Sequence, residues 1–238
     1  MTAGFQRTVN LQQAAAVAGD FASANPRASV VGHEGTLVAG ANGVTVARFA
    51  WATSAGLVSN AGVGKPTGFV HRRQGSALIT QYLGETSNLI PTGFEVTLMA
   101  TGDYWVAPAA SVSLNQKVFA NLGDGTIVGG AAGATIAGFS GTASFATNVM
   151  TVTVVGSGTV DVGDVVTSAG VAAGTYVTAQ LTGTPGGVGT YSLSTSPGTI
   201  TAQAVTTTSH VETDYTITGF PVGGTGAVGE LVTMSRPA

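Results

Sequence analysis

Histidines, carboxylates and nucleophiles are the side chains that could do chemistry, and here they are sparse. His33, His71 and His210 stand far apart, with no H-x-x-x-H or HExxH spacing to hold a metal. No G-x-S-x-G turn presents a nucleophilic serine. Cysteine is absent, so neither disulfides nor thiolate metal sites hold the fold. Asp161 and Asp164 lie three apart and could offer oxygen ligands to a hard cation, but a calcium loop needs carboxylates at denser spacing. The 11 acids are scattered singly, so a glycosidase-type pair would have to be assembled by the fold. Gly62-Val-Gly-Lys-Pro66 faintly resembles a phosphate-binding loop. The first glycine of that motif would fall at Ser59, and Pro66 stands where Ser or Thr is needed, so the motif is rejected. The sequence therefore assigns no catalytic residue, no metal and no cofactor.

Charge narrows the partners. Arg72-Arg73 beside His71 is the strongest local positive charge, suited to an acidic partner or to a solvated strand end. The net charge is −3 with no basic stripe, which disfavours nucleic acid. Charged residues make up 8% of the chain, against about 25% in a typical soluble protein. Seven of the eight basic residues fall in residues 1–117, and Val165 to Val211 carries no charge at all. Long uncharged Thr/Gly/Ala surfaces suit an assembly in which neighbours cover them. No run approaches the ~18 apolar residues of a membrane span, and the N-terminus lacks a secretory pattern, so the chain is expected to be made in a cytoplasm.

The elements that must position any surface are strands. With 36 glycines, few charges and abundant Thr, Val and Ala, the chain reads as all-β. One phrase occurs twice, Gly35 to Ala50 and Gly125 to Ser140, with Gly, Thr, Val, Gly, Ala, Gly, Thr, Ala and Phe recurring at like places. Asn42-Gly43 can take positive φ at both turn positions, so each copy is expected to form a tight hairpin, with Phe49 and Phe139 as anchors on equivalent faces. Residues 1–30 read as an arm that stays loose or orders on a partner, its large side chains being Phe5, Arg7, Phe21 and Arg27. Phe145 to Val155 and Gly158 to Thr167 each read as one long strand. Gly174-Thr-Tyr176 and Gly189-Thr-Tyr191 echo each other across Pro185-Gly-Gly187 as a hairpin, and Ile200 to Val205 adds a strand. The expected organisation is an arm (1–30), a β domain (31–140 plus 208–238) and a small β-sandwich or barrel inserted as 141–207.

Several phrases resemble the structural cement, or head-decoration, proteins of tailed bacteriophages. They are Val17-Ala-Gly-Asp-Phe-Ala-Ser-Ala-Asn-Pro-Arg27, Gly43-Val-Thr-Val-Ala-Arg-Phe-Ala-Trp51, Gly68-Phe-Val-His-Arg72, Pro91-Thr-Gly-Phe-Glu-Val-Thr-Leu98, Gly102-Asp-Tyr-Trp105 and Gln116-Lys-Val-Phe-Ala-Asn-Leu122. The likeness covers most of 1–139 and returns at Gly229-Glu-Leu-Val232. The 141–207 stretch looks like a β module that recurs in phage virion proteins and departs from the shorter cement pattern.

The resemblance implies a small β-barrel or jelly-roll-like protein. It would be non-enzymatic, sit on the outside of an icosahedral phage shell and bridge major capsid subunits, as a homo-oligomer (dimer or trimer). On this expectation Phe5, Arg7, Phe21, Arg27, Arg72 and Arg73 form the capsid interface and the insert projects outward. The alternative is a host-glycan or receptor-binding module using Tyr176 and Tyr191, since aromatic faces stack on sugars.

Overall fold

The computed structural model describes residues 16–30, 37–72 and 88–237, and among these every regular element is a strand. They are β1 (Ala28–Ser29), β2 (Val38–Ala39), β3 (Val44–Thr45), β4 (Phe49–Ala52), β5 (Leu57–Ser59), β6 (Gly68–Val70), β7 (Leu89–Ile90), β8 (Leu98–Val106), β9 (Lys117–Asn121) and β10 (Ile127–Gly130). Then follow β11 (Ala137–Ala146), β12 (Val149–Gly158), β13 (Val165–Thr167), β14 (Val177–Gly183), β15 (Gly189–Leu193), β16 (Ile200–Thr208), β17 (His210–Gly219) and β18 (Val232–Arg236). The all-β expectation holds, and short strands divided by glycine-rich turns are what the composition favours.

The larger sheet, here called the body, runs β10-β9-β17-β18-β8-β6-β4-β5-β2, with β1 also on β8. It curls over one core. Phe49, Phe69, Tyr104 and Tyr215 meet there as tilted or edge-on rings 4.8–6.2 Å apart, beside Val118, Leu122, Ile127, Ile217, Val232 and Met234. Edge-on and tilted packing suits the ring quadrupoles. A satellite core of Leu37, Val44, Val58, Val70, Val96 and Leu98 lies under β2, β3 and β5.

The second sheet runs β13-β16-β11-β12-β15-β14 and closes on itself. Val165 bridges Tyr176, the Val166 amide donates to the Thr175 carbonyl (2.8 Å), and the Val177 amide donates to the Asp164 carbonyl (2.9 Å). These bonds join the first strand in the order to the last, making a six-stranded antiparallel barrel. It has its own core of Phe139, Phe145, Met150, Val152, Tyr191, Leu193 and Val205. Its outward positions are mostly Thr, Ser, Ala and Gln, as the period-2 alternation requires. The strands that lead in and out are neighbours, because the Ser209 amide donates to the Ile136 carbonyl (3.2 Å).

Three sequence expectations are corrected. The repeated phrase forms no hairpin in either copy. β2 pairs with β5 and β3 with β7, while β10 pairs with β9 and β11 with β12 and β16. What the copies do share is a turn, with Gly43 (φ 70°) and Gly133 (φ 71°) at the same place in the phrase. Asn42 is not in the left-handed region, so the type I′ geometry that joins adjacent strands is not formed. Second, the run from Val44 to Phe49, which would be the second strand of the first hairpin, is not continuous and breaks at Ala47 (φ 64°). Phe49 and Phe139 are both buried, but in different cores. Third, the two long strands read over 145–155 and 158–167 are interrupted. The first contains the two-residue turn Thr147-Asn148, with Thr147 at φ 54°, and in the second Thr159 to Asp164 is a loop.

Candidate functional site

Residues 16–30 wrap β8. On the β6 side, the Gly19 amide donates to the Trp105 carbonyl (2.7 Å), the Trp105 amide to Asp20 (2.9 Å) and the Ala22 amide to Asp103 (2.9 Å), with Phe21 bridging Tyr104. The chain then crosses over, and β1 pairs on the β18 side, Ala28 with Thr101 and Ser29 with Met99. The crossing is pinned at Asp103, whose Oδ2 accepts from Ser23 Oγ (2.5 Å) and Asn25 Nδ2 (2.7 Å). Burial works against the charge on Asp103. Hydrogen bonds from Ser23, Ser235 and Asn25 outweigh it and hold the carboxyl below its ordinary value.

This strap gathers three of the sequence-named interface residues, with Phe21 half-buried and Arg27 exposed over it. The Phe21 ring packs on His71 (5.0 Å) and Tyr104 (5.5 Å). The Arg27 guanidinium lies 3.8 Å from the centre of the Phe21 ring, a cation–π contact, and Arg72 pairs with Asp20 at 3.4 Å. The expectation of a loose or partner-ordered arm therefore fails for 16–30, because its backbone finds partners on β8. Phe5, Arg7 and Arg73 lie outside the described residues.

Tyr176 and Tyr191 are not brought together. Tyr191 is 1% exposed in the barrel core and donates its hydroxyl to the Gly187 carbonyl (2.7 Å), so it offers no ring face to a sugar. Burial raises its hydroxyl pKa, with Asp161 adding to the shift. Tyr176 is half-buried and lines a shallow, largely apolar cleft of about 270 Å³, between Ala61–Val63 of the body and Val162–Gly163 and Thr178 of the barrel.

The sequence gives no sign of a cationic cluster on the outside of the body. Asp214 on β17 pairs with Lys65 from the loop before β6 and, at 2.9 Å, with Arg236 on β18. The Lys65 hydrogen bond and the charges of Arg236, Lys65 and Lys117 hold its carboxyl below the ordinary value despite some burial. Three bases thus gather around Asp214, and Asp103 adds a second carboxylate where Ser235 bonds it. Beside it Thr218 Oγ1 lies 2.8 Å from Ser235 Oγ and 3.2 Å from Thr233 Oγ1, a row of hydroxyls across β17 and β18.

The remaining polar groups do not converge on a reaction centre. Asp161 and Asp164 share a turn, and Asp164 is fully buried while Asp161 is exposed. His210 is half-buried beside Ser209, its Nδ1 2.7 Å from Ser209 Oγ. Burial lowers its pKa, and the charge of Asp124 opposes that. Among the described residues, no group of three or more His, Asp or Glu could hold a metal ion.

What these surfaces serve is narrowed by comparison with known proteins. No curated protein matches the chain. A family profile described as XM1 gp53 minor capsid protein matches residues 5–154, from the strap region through the body strands to within β12. Since that match spans well over half of the sequence, the chain belongs to the XM1 gp53 minor capsid protein family and is a structural component of a phage virion.

Proposed function

We propose that the protein binds the outer surface of the phage shell through its body and bridges major capsid subunits, with the barrel projecting away. On this reading the chain divides into an N-terminal segment, a body and an inserted barrel, and it assembles as a dimer or trimer without catalysing a reaction. The observation that carries it is the division of charge. All eight Lys and Arg residues lie outside the barrel, whereas Val165 to Thr208 carries none. The face around Lys65, Lys117 and Arg236 is the part of the body best suited to an acidic protein surface, and its hydroxyl row can add neutral hydrogen bonds. Residues 1–15, with Phe5 and Arg7, extend the contact. A specific contact needs about 800 Å² per partner, and repeated bridging contacts multiply the work of separating subunits.

The test is add-back to particles that lack the protein. A variant in which a short linker joins Ile136 to Ser209 removes the barrel, and the hydrogen bond between those residues makes the join feasible. Occupancy equal to that of the intact chain is expected. Loss of binding by a variant whose circular dichroism still shows a folded body would reject the assignment of the contact to the body.

A second reading, with the barrel as a glycan- or receptor-binding module, is favoured by Tyr176 at the cleft and by the hydroxyl-rich barrel exterior. A glycan array distinguishes it.

A further inference from the structure

Asp164 stands where the barrel meets the body. It follows the 159–163 loop and opens β13. Its backbone carbonyl accepts from Val177, helping to close the barrel. Its Oδ2 accepts from Thr207 Oγ1 on β16 (2.6 Å) and from the Asp161 amide (3.3 Å), while Oδ1 is buried with no hydrogen-bond partner. The incoming strand is as close, for a Cβ placed on Gly138 would lie 2.8 Å from Oδ2 and 2.7 Å from Ser209 Cβ. The body is the other wall. A Cβ on Gly163 would lie 3.0 Å from the Leu122 carbonyl oxygen, which accepts from the Gly62 amide (2.9 Å); the Leu122 amide donates to the Ser209 carbonyl (2.8 Å), and Val165 packs on the body core. Loop, incoming strand and outgoing strand thus converge on one carboxyl that is 0% exposed, and the body packs against the residues on either side of it, Gly163 and Val165.

A half-satisfied buried carboxylate is costly when ionised and much less so when protonated. We propose that Asp164 is a proton-operated latch of this joint: protonated, it lets the barrel seat against the body, and ionised, it favours opening, which returns the carboxylate to water.

The surrounding groups set the direction. Burial raises the Asp164 carboxyl to about 6, opposed by the hydrogen bonds from Thr207 and Asp161 and reinforced by the Asp161 charge. In the opened joint the carboxyl returns towards its ordinary value near 3.8. The closed joint therefore holds the proton more tightly, and closure weakens as pH rises from about 4 to above 6. Between pH 5 and pH 7 the ratio of closed to open should fall about tenfold. His210, next to Ser209, works the other way. Burial keeps it neutral, Asp124 favours its charge, and charging it at acid pH opposes closure. Asp164→Asn separates the two, since it cannot ionise and leaves His210 in place.

The measurement is amide hydrogen exchange on the full chain at pH 5 and pH 7, corrected for intrinsic exchange. The joint reporters are the Leu122 and Ser209 amides, which bond where the barrel meets the body, and the Tyr104 and Val106 amides report the body core. Protection at the joint is expected to fall about tenfold with pH while the core stays within about twofold, and Asp164→Asn should flatten the joint profile. An identical pH profile in wild type and Asp164→Asn would overturn the proposal, as would an equal fall at joint and core. Should Asp164→Asn fail to fold, Thr207→Val removes the donor that stabilises the ionised form. Joint opening should then increase at pH 7 and stay unchanged at pH 5, and any other pattern counts against the latch.

Discussion

Gly125 and Phe49 meet backbone to backbone. The Phe49 amide donates to the Gly125 carbonyl at 2.9 Å, and a Cβ on Gly125 would lie 2.1 Å from the Phe49 carbonyl oxygen. Gly125 opens the second copy of the repeated phrase, and Phe49 nearly ends the first. The likeness between the copies therefore marks two turns, and this contact draws the start of β4 against the turn between β9 and β10. That curls the body sheet around its aromatic core.

Gly125→Ala should be among the most damaging single-methyl additions in the chain. Gly125 sits at φ +72°, and the methyl would strike backbone, which cannot swing aside as a side chain would. A loss of about 3 kcal/mol or more is expected in urea unfolding. Gly133→Ala is the control. It has nearly the same φ, +71°, with nothing within 4 Å of the added carbon, and should cost only about 1 kcal/mol.

Asn60 splints the irregular stretch that contains Ala47. Its Oδ1 accepts from the Thr45 amide (2.6 Å), and its Nδ2 donates to the carbonyls of Thr45 (3.2 Å) and Phe49 (3.0 Å). Asn60→Ala should cost about 2 kcal/mol. Asn60→Asp should be worse despite its near-identical shape, because a carboxylate sets negative charge against two carbonyl oxygens. Thermal unfolding midpoints at pH 7 would check the order, and an Asp variant as stable as wild type would contradict this role.

Phe21→Ala should release the strap without unfolding the body. The ring is half-buried, so about 2 kcal/mol is expected, roughly half of a core phenylalanine's contribution. New protease cleavage within residues 22–27 would report the release. The same segment should also loosen at low pH. Asp103 has a depressed pKa, so its contribution is present above the ordinary carboxylate range and fades as pH falls through its lowered folded value.

Tyr191→Phe should lower barrel stability by about 1 kcal/mol through loss of the bond to Gly187. Tyr176→Ala should cost about 2 kcal/mol, as for the half-buried Phe21 ring, and leave the barrel folded. If an array detects glycan binding, it should depend on Tyr176 and be indifferent to Tyr191→Phe.

Local signals in the sequence located much of the barrel. The hairpin across Pro185-Gly-Gly187 appears as β14 and β15, and the strand from Ile200 as β16. The turn at Thr147-Asn148 gave no warning because it uses no glycine, and a β-branched residue rarely takes positive φ. The Ala47 break was hidden because it too uses no glycine, and any residue with a Cβ rarely takes positive φ. The strap was unreadable because Phe21 and Arg27 gain their meaning only from β8, some 80 residues away in the chain, where Asp103 bonds Ser23 and Asn25. Lys65, Lys117, Asp214 and Arg236 lie on separate elements, so their charges become one cluster only through the sheet order.

The bonds between β13 and β14 have a consequence for life on a particle. A sheet that ends in free N–H and C=O groups invites another chain to add a strand. Copies held side by side on a shell would meet at very high local concentration, where such an invitation would be taken up both within a particle and between particles. Those bonds tie β13 to the start of β14, so the barrel presents a shorter free rim to a neighbouring copy than an open six-stranded sheet would.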